Sequence, residues 1–120
     1  MNIQETIYEH LTTNAGLVAL VSTRVYPAVL PQRPTLPALT YQRISGVPEY
    51  SHSGRALMQS RFQISCWAAT YAGAIALATA VKAAMDTFPD VAFIEGHSEM
   101  YEPETSVYHI PVDVMIWHEE

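Results

Sequence analysis

Apolar and polar positions alternate through S-R-F-Q-I-S-C-W-A at residues 60–68. Phe62, Ile64 and Cys66 fall on one side of an extended chain, and Arg61, Gln63 and Ser65 on the other. From Tyr71 the period changes, and Tyr71, Ile75, Ala78, Val81, Met85 and Phe88 lie along one side of a helix. A strand that passes almost directly into a helix fixes which helix face meets which sheet face. Residues 60–88 therefore predict the unit around which the rest of the chain is built. The opposite side of the same helix carries Ala72, Gly73, Ala76, Thr79, Ala80 and Ala83, with hardly a charge among them. A helix face that meets only water ordinarily carries Lys and Glu. Two readings stand: alanine used for helix propensity under a light cover of loops, or a smooth face that packs against another copy of the protein.

The remaining pattern is shorter in period and more broken. Asn2 and Glu5 have capping-box spacing, and Ile3, Ile7 and Leu11 predict a first helix to about Thr13, ended by Asn14 and Gly16. Residues 17–21 read as a short helical turn, and residues 22–27 as a brief strand halted by Pro27. Pro27, Pro31, Pro34 and Pro37 make the next segment a stiff, extended arm. Residues 39–45 read as a strand, residues 46–57 as a long loop, residues 91–95 as a short strand, and residues 96–105 as a second, acidic loop. The last strand puts Tyr108, Ile110, Val112, Val114 and Ile116 on one face, and Pro111 predicts that it is an edge strand or bulged. The expected fold is α+β and one domain over residues 1–120. It is a single antiparallel or mixed sheet of about four to five strands with two main helices packed on it, one N-terminal and one central at residues 70–88.

Composition changes this picture in two ways. At 49% hydrophobic and 15% charged, the chain carries little charge for a free monomer, so part of its surface is expected to be covered by partners. Six Lys and Arg against twelve Asp and Glu give a net charge of −6, which argues against binding nucleic acid through its phosphates. It leaves open a wall that DNA slides past. The single cysteine, Cys66, falls on the inward side of its strand and reads as a buried thiol; one cysteine excludes a disulfide framework. The start M-N-I-Q-E-T-I lacks the pattern of a signal peptide, and the apolar run at 72–85 is interrupted by Lys82 and too short to span a bilayer. A cytoplasmic protein without a membrane partner is expected.

Catalytic chemistry finds little footing. His10, His52, His97, His109 and His118 are scattered, without metal-ligand spacing; His97 with Glu99 and Glu102 reads as a solvated loop rather than a cation site. No nucleophile elbow supports a Ser-His-Asp reading, and no Gly-rich phosphate loop is present. No catalytic, cofactor-binding or metal-ligating residue is expected, and no enzyme. Arg24, Arg43, Arg55 and Arg61 read either as solvated strand ends and loop tips or as partners for acidic residues of a neighbouring subunit.

Several stretches in order carry a resemblance: R-V-Y-P at 24–27, the proline arm with Pro31 and Gln32, P-A-L-T-Y-Q-R-I-S at 37–45, and R-F-Q-I-S-C-W-A at 61–68 running through Tyr71 into the Ala-rich helix. Over nearly its whole length the chain resembles the small tail completion, or tail-to-head joining, proteins of long-tailed bacteriophages and prophages. Thr70 departs from the pattern, standing where an acidic residue would make a stronger helix start. Such proteins are similar to tail terminators. The resemblance implies a structural virion protein at the head–tail junction, assembled in the host cytoplasm, that forms a ring, hexameric when assembled. The implied partners are other copies, the tail tube protein and the head connector protein, with DNA passing through unbound. On this reading the face from Ala72 to Ala83 is the candidate subunit interface. Glu49, Tyr50, His52 and Arg55 in the first loop, and His97, Glu99, Tyr101 and Glu102 in the second, are candidate partner contacts. The alternative is a monomeric ligand-binding or regulatory α+β domain, suggested by Tyr41, Tyr50, Tyr101 and Trp117.

Overall fold

Asn2 caps the first helix by accepting a hydrogen bond from the Glu5 amide at 2.7 Å, and Ile3, Ile7 and Leu11 bury one stripe of α1 (Ile3–Thr13). Asn14 then serves twice. Its amide closes α1 onto the His10 carbonyl, and its side chain accepts from the Leu17 amide to start α2 (Ala15–Val21). One residue with a short amide side chain thus makes the corner between two helices, and Gly16 lies inside α2 instead of ending α1. This computed structural model describes residues 2–32, 35–50, 56–89, 91–97, 99–103 and 106–119.

The strands are β1 (Val25–Pro27), β2 (Ala38–Tyr50), β3 (Ala56–Ala68), β4 (Val91–His97), β5 (Met100–Glu102) and β6 (Val107–Glu119), with α3 (Tyr71–Met85) between β3 and β4. They form one mixed sheet in the order β1-β2-β3-β6-β4, and β5 pairs with β6 beyond the end of β4. Only β1 and β2 are parallel. The expected α+β class holds: α1 and α3 are the two main helices, and the short turn expected at residues 17–21 is the seven-residue α2.

Two expectations about proline and loops are corrected. Residues 46–57 are not a long loop: β2 runs on to Tyr50 and β3 begins at Ala56, paired from Ala38↔Trp67 to Tyr50↔Ala56. Pro48 does not break β2 because β1 pairs with it only as far as Tyr41, so among the described residues no strand lies on that side to miss a donor. Nor is β6 an edge strand. It lies between β3 on one flank and β4 and β5 on the other. Pro111 is tolerated because β4 pairing stops at His97↔Val112 and β5 pairing begins at Met100↔His109, so Pro111 faces the break between them.

All three helices contribute to one core on one face of the sheet, against Phe62, Ile64 and Cys66 of β3 and Ile110, Val112, Val114 and Ile116 of β6. α3 presents Ala74, Leu77, Ala78, Val81, Ala84 and Met85. The sequence stripe was therefore rotated at its start: Leu77 is 1% exposed whereas Ile75 is 36% exposed, and Tyr71 is outside as well. Small residues let a helix approach a sheet closely, so Ala74, Ala78 and Ala84 mark the inner side as well as a large residue would. The β2–β3 hairpin extends beyond the helices, which accounts for the 51 × 26 × 23 Å shape and for the exposure of Ile44, Val47 and Leu57.

Candidate functional site

The start of α3 is set by a single cap. Thr70 adopts extended backbone and its hydroxyl accepts from the Gly73 amide at 3.0 Å. Threonine is a favourable N-cap, so the absence of an acidic residue there leaves the helix start intact. A Cβ on Gly73 would meet the Thr70 hydroxyl at 2.8 Å, so a larger residue there would have to displace that hydroxyl slightly. With the helix so oriented, Ala72, Ala76, Thr79 and Ala83 are exposed and Gly73 and Ala80 half-buried. The smooth face expected from the sequence does look outward, and Tyr71 and Ile75 extend it.

The second candidate loop meets this helix. Residues 96–105 are part strand, since β4 continues to His97 and β5 takes Met100–Glu102. The Tyr71 hydroxyl donates to the Glu99 carboxylate at 2.6 Å. That bond to a carboxylate, with Glu99's negative charge beside it, raises the Tyr71 phenol above its ordinary value. Tyr108 packs between Tyr71 and Tyr101, with ring centroids 5.7 and 4.7 Å away. Tyr71, Ile75, Met100 and Tyr101 are all exposed, so an apolar patch lies where α3 begins and continues the alanine face. The side chains of His97 and Glu102 lie outside the described residues.

The first candidate loop is at the other end of the sheet. Along β3 and β6 the register runs from Ala68↔Tyr108 beside β5 to Leu57↔Glu119 beside the hairpin tip. These ends are about 37 Å apart at the usual rise per strand residue. Glu49 and Tyr50 end β2, their side chains outside the described residues, and His52 and Arg55 lie outside them altogether. The described residues flanking the two candidate stretches therefore stand at opposite ends of the sheet.

A polar cluster that sequence reasoning missed joins hairpin and body. Arg43 Nη2 donates to Ser60 Oγ at 2.6 Å, and Ser60 Oγ lies 2.7 Å from His118 Nε2. The register of β3 and β6 places these residues on the core-facing side, just past the last apolar row. Gly46 makes room: a Cβ there would meet the Arg43 guanidinium at 3.0 and 3.1 Å. A bulge between Arg43 and Ser45 accompanies this close approach. Ser60 and His118 have the spacing of a nucleophile and its base, but Ser60 is 0% exposed and its oxygen accepts from Arg43. The cluster is suited to holding the hairpin, not to attacking a substrate.

The other singled-out residues are spread apart. His10 Nε2 donates to the Ala84 carbonyl at 2.6 Å, tying α1 to the last turn of α3. His109 stacks on Trp67 at 3.9 Å, and Trp67 donates to Thr40. Arg24 donates to the Pro37 and Leu20 carbonyls, holding the proline arm against the end of α2. Arg24 and Arg43, two of the four arginines singled out from the sequence, therefore serve the fold internally. Burial pushes the Cys66 thiol up to about 12, with Lys82 acting weakly in the opposite direction, so it is neutral at physiological pH. Among the described residues no group of three His, Cys, Asp or Glu is placed to hold a metal ion, and no helix is long and apolar enough to cross a membrane. Tyr41, Tyr101 and Trp117 do not converge on one cavity: Tyr41 lines a groove beside α1, Tyr101 the patch beside α3, and Trp117 is near the far end of β6.

The order of elements and the outward alanine face fit the resemblance carried by the sequence motifs. A family model described as tail completion protein gp17 matches residues 5–119. The chain belongs to that family. As a tail completion protein it is a structural component of phage-like virions and works with other virion proteins. Its fold is also that of a chain in the virion of a native gene transfer agent particle, with a TM-score of 0.76 and 21% identity, covering 98% of this chain and 95% of that one. At that identity the likeness is one of fold. No curated protein matches the chain in sequence.

Proposed function

We propose that this tail completion protein closes into a ring at the head–tail junction, caps the tail tube and presents a surface to the head connector, without catalysing a reaction. The observation that carries the reading is the outer face of α3. Ala72, Ala76, Thr79 and Ala83 form an exposed, uncharged strip, with Gly73 and Ala80 beside it and Tyr71 and Ile75 extending it. Such a strip lets a second backbone approach closely and excludes water without burying a charge. A closed ring needs a heterologous contact, in which this face meets a different surface of the next copy. A hexamer is the assembled form expected.

The two ends of the sheet then have separate work. The end of the sheet where β2 stops at Tyr50 and the opposite end, where β5 lies, serve the tube and the connector. Glu49, Tyr50, His52 and Arg55 on one side and His97, Glu99, Tyr101 and Glu102 on the other remain the candidate contacts. The acidic balance of the chain suits a channel wall past which DNA moves without being held. The test is light scattering and negative-stain microscopy of the purified protein, alone and with tail tubes added. Rings, or protein at tube ends, are expected; a protein that stays monomeric and leaves tube ends bare contradicts the reading.

A further inference from the structure

A groove of about 720 Å³ runs between the outer side of α1 and the β1–β2 edge of the sheet, far larger than the pocket of about 150 Å³ beside Tyr71. Its apolar wall is formed by Tyr8, Val25, Pro27 and Tyr41, and Glu5 and Glu9 stand on its rim. The Tyr8 and Tyr41 rings are 6.2 Å apart and tilted by 46°. No Lys, Arg or His is among the described residues lining it. Glu5 and Glu9 are one helical turn apart, a spacing at which like charges repel. Among the described residues lining the groove no cation stands beside these carboxylates, so its rim is negatively charged.

Two carboxylates beside two aromatic faces match a particular ligand chemistry. A guanidinium is planar, offers paired N–H donors to carboxylates and stacks on aromatic rings. We propose that the groove receives an arginine-bearing segment of a different virion protein, its guanidinium against the tyrosines and paired with Glu5 and Glu9. Charge complementarity selects the occupant, and the described cations of the chain argue against a second copy, Arg33 and Arg55 lying outside the described residues. Arg24 and Arg43 donate within the chain, and Arg61 and Lys82 are half-buried and engaged there. The inference rests on the reading of the chain as an assembly protein, but uses a surface separate from the α3 face.

The first test is a titration of the ¹⁵N-labelled protein with N-acetyl-Gly-Arg-Gly-amide, and with its lysine counterpart as control. Saturable amide shifts confined to Glu5, Tyr8, Glu9 and Tyr41 are expected, stronger for arginine and weakened by salt. Glu5→Gln with Glu9→Gln should reduce affinity about tenfold with the helix signals unchanged. Shifts that do not saturate, or that persist in the double variant, overturn the proposal. In particle assembly the double variant should still form rings but fail to join the rest of the virion. Loss of the rings themselves would make a second copy the occupant and overturn the proposal as stated. Arginine binding by a wild-type protein that forms no rings would count against the ring alone.

Discussion

The Tyr71 hydroxyl is 2.6 Å from the Glu99 carboxylate, which ties the first residue of α3 to the segment entering β5. Two surfaces that looked separate in the sequence, a helix face and a loop, become one. The bond also leaves a mark on titration. Because the phenol donates to a carboxylate, Tyr71 should ionise above the ordinary 10.0, and Glu99→Gln should move it back. Following ¹³C-labelled tyrosines through alkaline pH checks this, and an unchanged Tyr71 in the variant would mean that the bond is not formed in solution.

Ser60→Ala tests the hairpin lock. Removing the hydroxyl takes the acceptor from Arg43 and the partner from His118 in a buried setting, and should cost about 1–3 kcal/mol in denaturant unfolding. Gly46→Ala should act on the same cluster by pressing a Cβ against the guanidinium. The two changes should therefore be less than additive, because they disturb one network.

Cys66 gives a prediction in pH. The folded state holds the thiol proton up to about 12, whereas the unfolded chain releases it near the ordinary 9.0. The stability that Cys66 contributes is whole below pH 9.0 and is lost as the pH rises towards 12. Relative to Cys66→Ala, the wild type should lose stability at up to about 1.4 kcal/mol per pH unit through that window. A constant difference between the two proteins would contradict the burial of the thiol.

How far the fold was legible depended on which residues carried the pattern. The alternation of Phe62, Ile64 and Cys66 and of Ile110 through Ile116 was read correctly because large apolar residues mark a buried face. α3 was rotated because Leu77 was passed over for Tyr71 and Ile75, and alanines on both sides blur a helical stripe. The long hairpin was hidden by Gly46 and Pro48, which ordinarily punctuate strands. Here one lies under Arg43 and the other has no described strand on its outer side. The Arg43–Ser60–His118 cluster had no sequence signal, since residues 17 and 58 apart become neighbours only through strand register. The outward alanine face was legible because the lack of charge is itself a local signal.

Leu77→Ala against Ile75→Ala tests the orientation of α3 directly. The first should cost about 2–5 kcal/mol, as removal of a fully buried side chain does. The second should cost far less, since Ile75 is already 36% exposed. Equal costs in thermal or denaturant unfolding would mean that the helix is rotated from the orientation described.

The outer face of α3 is the centre of the account, and Ala76→Glu probes it with the least disturbance to the monomer. Ala76 is exposed, so the variant should unfold within about 0.5 kcal/mol of the wild type. A glutamate there places a charge in a close-packed contact, which should weaken assembly about tenfold or more. The deciding measurement is the fraction of protein in rings, by sedimentation and negative-stain microscopy, for wild type and variant at matched concentration with tail tubes present. The account predicts rings for the wild type and folded, unassembled protein for the variant. A variant that assembles as the wild type does would show that subunits meet through another surface.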